Sequence, residues 1–366
     1  MRKGWTRREL LREAARYGSA AVLGTGALTA LRSTWPTPAF AQKSSGKVII
    51  RSLGGAYQEA EKKAIFDPFT AATGIEVVPV PVTAAQVLAM VRTGSVQLDV
   101  LDIGETIALS LDKAKALSPI DYGKFKLTNP QDVDSAIRRP TMVGNIYFAT
   151  VLGYSKKQFA SGHPQTWRDF WNVEKFPGPR SLDSIESGGL PLEFALLADG
   201  VPMNAIYPID VTRAFDSLSR IRSHVVKWWT TGAESAELIE SAQVVAMDIW
   251  NGRIQGPIDK GAPLAIEWNQ AMRLKQFWAI VKGAPNSENA LRFIDFALQP
   301  KPQAELARYI PYGPTNKKAF QYVSAADAAN LVSSPQHFAR SFDENAYWWA
   351  GHLDEVTKLW EKWRLQ

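Results

Sequence analysis

One stretch, residues 47–80, limits the folds open to this chain more than any other. Val48-Ile49-Ile50 is an apolar run that is too short for a helix and is bounded by glycines, so it favours a buried strand. Gly54-Gly55 permits a sharp turn, residues 56–66 favour a helix, and residues 75–80 form a second apolar strand. Strand, helix and strand make a βαβ unit, which predicts a parallel α/β sheet.

Strands and helices continue to alternate beyond this unit, and an apolar strand at residues 146–152 is predicted to pass from one lobe into another. Two α/β lobes joined by two crossings predict a hinged clam-shell whose site lies in the cleft, where the carboxyl ends of strands face each other. The predicted boundaries are residues 42–152 for the first part of lobe 1, 153–275 for lobe 2, and 276–366 for the return to lobe 1 and the C-terminal helices.

Residues 1–41 are predicted to be a twin-arginine signal peptide. Arg7 and Arg8 precede a mildly apolar stretch, and Ala39-Phe40-Ala41 is a small-x-small cleavage site. A transmembrane anchor is the alternative, and it is disfavoured because the apolar stretch falls short of the roughly 20 residues that a span requires. We therefore expect a mature protein that begins near Gln42 and resides in the periplasm.

The net charge of +6 comes mainly from this first segment. Of the 42 basic and 36 acidic residues, seven and two lie in residues 1–41, so the remainder carries a net charge of only +1. Binding to nucleic acid therefore has no electrostatic support. The chain has no cysteine, which excludes disulfides, thiolate metal sites, a catalytic cysteine and a lipidated cysteine anchor.

Motifs typical of enzymes are missing from the sequence. The four histidines are scattered, and none has the spacing of a zinc motif such as H-E-x-x-H. The chain contains no Walker loop, dinucleotide-binding fingerprint or G-x-S-x-G elbow. We expect no enzymatic activity, no cofactor and no metal, with a periplasmic hydrolase as the alternative that this reasoning leaves open.

Several motifs occur in a recognisable order. They are the opening G-G-x-Y, D-P-F and T-G-I-x-V, then Trp229-Thr230-Thr231-Gly232, Trp250-Asn251-Gly252, Lys282-Gly283-Ala284-Pro285-Asn286 and Pro311-Tyr312-Gly313-Pro314-Thr315-Asn316. This series resembles periplasmic solute-binding proteins of ABC importers, in the branch that contains the spermidine/putrescine receptors. The resemblance implies a two-lobed periplasmic-binding-protein fold of type II, a monomer that captures a small molecule by domain closure, and docking on an inner-membrane permease.

Candidate ligand-binding residues of the first lobe lie where strands become helices. Gly54-Gly55 and Tyr57 follow the first strand, where backbone N–H groups at a helix start can bind an anion. Gly104-Glu105-Thr106 ends the strand that begins at Leu98, and it matches ligand contacts of the resembling receptors. Each set has a structural alternative to ligand binding. Tyr57 can pack in the core, and Glu105 can be a solvated acid in the first helical turn that the helix dipole stabilises.

Two aromatic residues are further candidates. Trp250 follows a strand, together with Asn251 and Arg253, and its ring can stack on a cationic amine or a planar ligand. In the resembling family the matching tryptophan lies against the polyamine, and Tyr312 matches a ligand-facing tyrosine. The alternatives are a core tryptophan and a tyrosine that braces its turn.

The second lobe departs from the polyamine pattern. The turn that carries acids in those receptors corresponds to Ser187-Gly188-Gly189, with only Glu186 acidic beside it, and a further expected aspartate falls on Gln276. A glycine-rich turn suits a backbone-bound anion better than an amine. Because Arg51 and Arg253 also lie near loop starts, the ligand is either a polyamine-like amine or a carboxylate or zwitterion, and a sugar is a further alternative.

Overall fold

The computed structural model describes residues 46–52 and 54–366, and the predicted signal peptide and its cleavage site lie outside them. Within this part, the backbone forms one mixed sheet of eleven strands flanked by helices. The strands are β1 (Lys47–Arg51), β2 (Glu76–Val80), β3 (Val100–Gly104), β4 (Leu117–Ser118), β5 (Met142–Ser155), β6 (Arg180–Asp183), β7 (Val225–Trp229), β8 (Ala246–Trp250), β9 (Leu264–Val281), β10 (Gly313–Pro314) and β11 (Ser341–Asp343).

The helices lie mainly between successive strands. They are α1 (Gly55–Glu61), α2 (Asp67–Thr73), α3 (Ala84–Thr93), α4 (Glu105–Lys113), α5 (Trp167–Trp171), α6 (Leu192–Ala198), α7 (Val211–Ile221), α8 (Gly232–Glu240), α9 (Asn251–Asp259), α10 (Ser287–Ala297), α11 (Pro300–Tyr309), α12 (Ala325–Ala329), α13 (Pro335–Phe338) and α14 (Ala346–Arg364). A π-helical turn joins α1 to α2. In the part of the chain that the structure describes, no helix has both the length and the apolar character that a membrane span requires.

The sheet consists of two parallel parts on either side of an antiparallel centre. Its strand order is β2-β1-β3-β9-β5-β8-β6-β7. Strands β1, β2 and β3 run parallel at one side, and β6, β7 and β8 run parallel at the other. Strands β5 and β9 pair antiparallel between them. The carboxyl ends of both parallel parts therefore approach the same central pair.

The predicted βαβ unit is confirmed. Strand β1 pairs in parallel with β2, with Lys47 opposite Glu76 and Arg51 opposite Val80. Gly74 ends helix α2 with φ 76°, a left-handed conformation that glycine adopts without a steric penalty. The local turn residues and the apolar pattern thus agree with the tertiary structure here.

The central strands are longer than predicted. The strand expected at residues 146–152 extends over the whole of β5, and most of β9 was not predicted at all. Polar residues near Gln270 break the apolar pattern of β9, and Gln270 itself has φ 62° beside an irregularity in the pairing with β5. Strand β9 forms because β3, β5, β4 and β11 all pair with it, which is tertiary information.

Helix α9 was also missed by the sequence analysis. It contains Gly252, Gly256 and Pro257, residues that weaken or break isolated helices. Its buried face, including the fully buried Ile254, packs against a group of apolar residues around Trp229 and Leu238. Tertiary packing therefore outweighs the low helix propensity of this segment.

Buried apolar side chains form two large cores. The first core joins β1, β3, α1, α2 and α10, with Trp278 against Phe293 at 5.3 Å between ring centroids. The second core joins α5, α6, α7 and α14, with Trp167 stacked on Phe194 at 3.9 Å. The C-terminal helix packs through Trp360 into the second core. The residue boundaries given above for the lobes stay predictions.

Candidate functional site

A cavity lies beside the central strands, where β3, β6 and β8 end and helices begin. Eleven of the fourteen residues proposed from the sequence line it, although they come from distant parts of the chain. These residues are Tyr57, Gly104, Glu105, Thr106, Ser187, Gly188, Gly189, Trp250, Arg253, Gln276 and Tyr312.

Gly54, Gly55 and Asn251 are not part of the cavity wall. The fully buried side chain of Asn251 accepts a hydrogen bond from the Ala149 amide at 3.0 Å and donates one to the Pro311 carbonyl at 2.8 Å. Its observed contacts are therefore structural, since it ties the start of α9 to β5 and to the turn before Tyr312. Gly55 instead lies against Arg253.

Arg253 is nearly buried, at 6% exposure, and its guanidinium lines the cavity. Two glycines leave the space that the group occupies. A Cβ atom at Gly55 would lie 2.7 Å from Nη1, and one at Gly232 would lie 2.6 Å from Nε. In the described part of the chain no carboxylate forms an ion pair with Arg253, and both nitrogens lack a hydrogen-bond partner. A buried cation of this kind favours an incoming anion.

Aromatic rings form another wall of the cavity. Trp250 meets Phe148 edge-on at 5.8 Å between centroids, and Phe148 lies 5.5 Å from the ring of Tyr312. A Cβ atom at Gly252 would lie 2.6 Å from the Tyr312 ring, so this glycine lets the aromatic group pack closely. Burial raises the pKa of Tyr312 to about 12, while the positive charge of Arg253 opposes that rise. Tyr312 therefore stays neutral at physiological pH.

Asp102 is the centre of a buried polar network at the end of β3. The amide of Asn145 donates to Asp102 Oδ1 at 3.0 Å and to the Tyr57 hydroxyl at 2.9 Å. Burial raises the pKa of Asp102 to about 6, and a hydrogen bond from Gln276 opposes the rise. Burial, and then the proximity of Asp102, raise the pKa of Glu61 well above its usual value. This pair of carboxyl groups therefore carries less negative charge than its composition suggests.

Glu105 lines the cavity but already has two cationic partners. Its carboxylate forms ion pairs with Arg139 and with Lys275, the latter at 3.2 Å. The carboxylate is almost completely buried, at 5% exposure of the side chain. Glu105 is therefore poorly placed to offer a free negative charge to an amine.

Asp183, at the end of β6, is a cavity residue that the sequence analysis missed. Burial raises its pKa well above the usual value, and the neighbouring Asp248 adds to that rise. The Asp183 backbone amide donates to Asp248 Oδ2 at 3.2 Å, and Ser187 donates to Asp183 Oδ2, also at 3.2 Å. Strand β6 was not predicted, so the rule that site residues follow strand ends was not applied to Asp183.

Glu344, Arg51 and Lys275 also line the cavity. Burial, followed by the proximity of Glu193 and Glu105, raises the pKa of Glu344 to about 8. Glu344 precedes the C-terminal helix, and no local pattern in the sequence distinguishes it from other acidic residues. Glu186, in contrast, is absent from the cavity wall and lies 3.5 Å from Arg364.

The comparisons with known proteins agree with this geometry. The family model described as bacterial extracellular solute-binding protein matches residues 64–337. The chain belongs to this family. It is therefore the substrate-binding protein of an ABC transporter and binds a small ligand, which excludes the hydrolase alternative.

Two curated relatives of this solute-binding protein differ in their ligands. The gamma-aminobutyric acid-binding protein of Pseudomonas aeruginosa is 32% identical over 338 residues, covering 89% of this chain and 93% of the relative. The spermidine/putrescine-binding periplasmic protein of Salmonella typhimurium is 25% identical over 251 residues, covering 66% and 69%. The family is thus clear, but the names of its relatives include both a zwitterion and polyamines.

Solved structures confirm the two-lobed fold. The PBP AgtB from A. tumefaciens R10 in complex with agropinic acid is 34% identical, with a TM-score of 0.81 and coverage of 88% of this chain and 99% of its own. The PBP AttC from Agrobacterium tumefaciens C58, in an open unliganded conformation, is 32% identical, with a TM-score of 0.62 and coverage of 87% and 99%. At similar identity, this solute-binding protein superposes better on the liganded structure.

Proposed function

We propose that this protein captures a small carboxylate-bearing, amino-acid-like solute in the periplasm and delivers it to an ABC permease. The observation that carries the proposal is the guanidinium of Arg253, which is buried in the cavity wall without an ion-pair partner among the described residues. A planar guanidinium can bind a carboxylate through two parallel hydrogen bonds. The ligand's carboxylate would then offset the charge of Arg253.

The charges around Arg253 favour an anion at this end of the cavity. Glu61 is a carboxyl group whose charge acts on Arg253, but burial raises its pKa well above the usual value and so disfavours its charged form. Among the described residues, Arg51 donates hydrogen bonds to backbone carbonyls, at 2.8 Å to Val82 and 2.6 Å to Asp102. The carboxyl group of Asp102 acts on the charge of Arg51, but burial raises the pKa of Asp102 to about 6 and so weakens this counter-charge.

Asp183 gives the cavity a group that can bind an amine. Its Oδ1 atom is buried and has no hydrogen-bond partner among the described residues. An ammonium beside Asp183 would stabilise the ionised carboxylate and form a charge-assisted hydrogen bond. An arginine and an aspartate that line the same cavity fit a zwitterion such as gamma-aminobutyric acid, the ligand in the name of the Pseudomonas relative.

A polyamine receptor is the second candidate, and the acidic residues of the cavity favour it. Asp102, Glu105, Asp183 and Glu344 all line the wall. Glu105 is already paired with Arg139 and Lys275, however, and raised pKa values weaken the charge of the others. A ligand that carries only positive charge would also meet Arg253 without a compensating anion.

We infer that the solute is held by closure of the two lobes and that the described conformation is the closed one. The better superposition on the agropinic acid complex than on the open unliganded structure supports this inference. A ligand that contacts both lobes raises the closed population by its preference for that state. We expect the closed monomer to dock on the permease, and the mature chain to begin near Gln42.

The test is a thermal-shift and calorimetry screen of the mature protein. We expect gamma-aminobutyric acid or related amino acids to raise the melting temperature, because a site-bound ligand stabilises the folded state by RT ln(1 + [L]/Kd). Arg253→Gln should weaken binding by about 100-fold, which corresponds to the loss of a buried charge pair. Arg213→Gln is the matched control, since Arg213 pairs with Asp199 on the surface.

Polyamine binding would contradict the proposal in a specific way. If putrescine or spermidine stabilises the protein, carboxylates do not, and Arg253→Gln has no effect, then the amine reading is correct and the zwitterion reading is wrong. A sugar that binds alone would contradict both readings.

A further inference from the structure

Gly55 lies at a contact between the two sides of the cleft. It begins helix α1, which packs on the first core. Across the cleft, a Cβ atom built on Gly55 would lie 3.5 Å from the Cβ atom of Ala233, at the start of helix α8. Helix α1 also contacts α9, the helix that carries Arg253. By the predicted boundaries, α8 and α9 belong to the second lobe, so these contacts join the lobes.

The guanidinium of Arg253 is held in this contact. Its Nη1 atom occupies the place where a side chain at position 55 would begin, and its Nε atom does the same at Gly232. The group has little room to move from Gly55 toward Gly232, because its Nε atom already lies 2.6 Å from the place of a Cβ atom there. The Trp250 ring fills the adjoining space, 2.8 Å from a Cβ at position 232. Two glycines, one from each lobe, thus fix the guanidinium.

We propose that Gly55 is a positioning residue that allows the lobes to close over Arg253, so that Gly55 and Gly232 together hold the guanidinium in its ligand-binding position. Any side chain at position 55 collides with Nη1 and either displaces Arg253 or keeps the lobes apart. This inference rests on the proposed role of Arg253 in binding a carboxylate. The contact between positions 55 and 233 can, however, be tested without any ligand.

Backbone strain must be separated from the collision. Gly55 has φ +69°, so an alanine there is strained whatever the surrounding space. Gly54 also has a positive φ, +75°, and a Cβ atom there would meet nothing within 4 Å. Gly54→Ala therefore introduces backbone strain without the collision, and combining each glycine variant with Arg253→Ala isolates the collision with Arg253.

The binding experiment uses gamma-aminobutyric acid as the probe. We expect Gly55→Ala to bind it about tenfold more weakly than Gly54→Ala does, and we expect this difference to disappear when both are combined with Arg253→Ala. Equal affinities of the two glycine variants would overturn the inference. If the unsubstituted protein does not bind the probe, the proposed ligand class fails, and the following ligand-free experiment decides the inference separately.

The ligand-free experiment uses disulfide trapping, which is clean because the chain has no cysteine. The 3.5 Å Cβ spacing of positions 55 and 233 lies at the short end of the range for disulfides, roughly 3.5–4.5 Å. We expect Gly55→Cys/Ala233→Cys to cross-link on mild oxidation, and to do so about tenfold faster when Arg253→Ala removes the obstructing group.

Each outcome of the trapping experiment is decisive once circular dichroism shows that the variants are folded. A faster cross-link in the Arg253→Ala background supports the inference. Equal rates in the two backgrounds show that Arg253 does not obstruct position 55, and no cross-link in either shows that the lobes do not meet there. Both of these results overturn the inference. Gly54→Cys/Ala233→Cys reports the background rate from general flexibility.

Discussion

The rings of Tyr57 and Tyr312 meet edge to face, with centroids 5.4 Å apart and planes inclined by 62°. Tyr57 lies on helix α1 and Tyr312 lies on the turn after helix α11, so the contact joins two distant parts of the chain at the cavity wall. The positive charge of Arg253 opposes the rise in the pKa of Tyr312, so the two groups lie close together. The surroundings of the proposed carboxylate anchor therefore include this aromatic pair.

Tyr312→Phe should weaken carboxylate binding while leaving the fold intact. The substitution keeps the ring contact with Tyr57 and removes the hydroxyl near the charge of Arg253. We expect calorimetry to show a loss of affinity of about 5- to 10-fold, the equivalent of one ordinary hydrogen bond. The control is Tyr122→Phe, which removes a hydroxyl that donates a hydrogen bond to the Arg139 carbonyl. A similar affinity loss in this control would show that the effect is not specific to the cavity.

Asn251→Ala should destabilise the protein. It removes two buried hydrogen bonds and leaves the Ala149 amide and the Pro311 carbonyl without their partner. We expect the free energy of unfolding, from urea titration, to fall by about 2–4 kcal/mol. Asn172→Ala removes an exposed hydrogen bond to the Lys175 amide and should cost less than about 1 kcal/mol. Equal losses would mean that Asn251 does not tie these segments together.

Asp183→Asn should distinguish an amine-bearing ligand from a simple carboxylate. An asparagine cannot supply the negative charge that an ammonium requires, so binding of gamma-aminobutyric acid should weaken by about tenfold or more. Binding of butyrate, which has the carboxylate but no amine, should change little. Glu186→Gln is the control, since Glu186 pairs with Arg364 outside the cavity wall. An unchanged affinity for gamma-aminobutyric acid would remove Asp183 from the site.

Glu344→Gln should flatten the dependence of stability on pH. Burial raises the pKa of Glu344 from 4.5 to about 8, so the folded state binds the proton more tightly than the unfolded state does. Stability from this group is therefore complete below pH 4.5 and is lost as the pH rises toward 8. The loss is at most about 1.4 kcal/mol per pH unit, and less where solvent screens the group.

Melting curves between pH 5 and pH 8 measure this effect. As the pH rises from 5 to 8, the melting temperature of the unsubstituted protein should fall more than that of Glu344→Gln. Glu186→Gln removes an acid whose side chain is 49% exposed and should behave like the unsubstituted protein. Parallel curves for all three proteins would show that Glu344 titrates normally.

Arg7→Lys/Arg8→Lys should block export of the protein. A twin-arginine signal is read through its paired arginines, so conservative lysines preserve the charge and remove the signal. Fractionation should find the variant in the cytoplasm with its first residues retained. N-terminal sequencing of the unsubstituted exported protein should begin near Gln42. Normal export of the variant would contradict this assignment.

Local sequence patterns were sufficient to predict the opening βαβ unit and several residues that line the cavity. The helix end at Gly74 and the two apolar strands predict a parallel pair without tertiary information, because each of these patterns depends only on residues that are close in the sequence. Turns after predicted strands indicated Glu105 and Trp250, and the family resemblance indicated the segment 187–189; all of them line the cavity. This worked because the carboxyl ends of parallel strands share one edge of a sheet.

The tertiary structure alone decided the remaining features. Strand β9 and helix α9 form against their local propensities because neighbouring elements pair or pack with them. The sequence also does not show which acids in the cavity carry charge. Burial raises the pKa values of Asp102 and Asp183, and residues far away in the chain oppose the rise for Asp102 and add to it for Asp183. Burial, pairing and charge coupling depend on distances through space, which the order of residues does not specify.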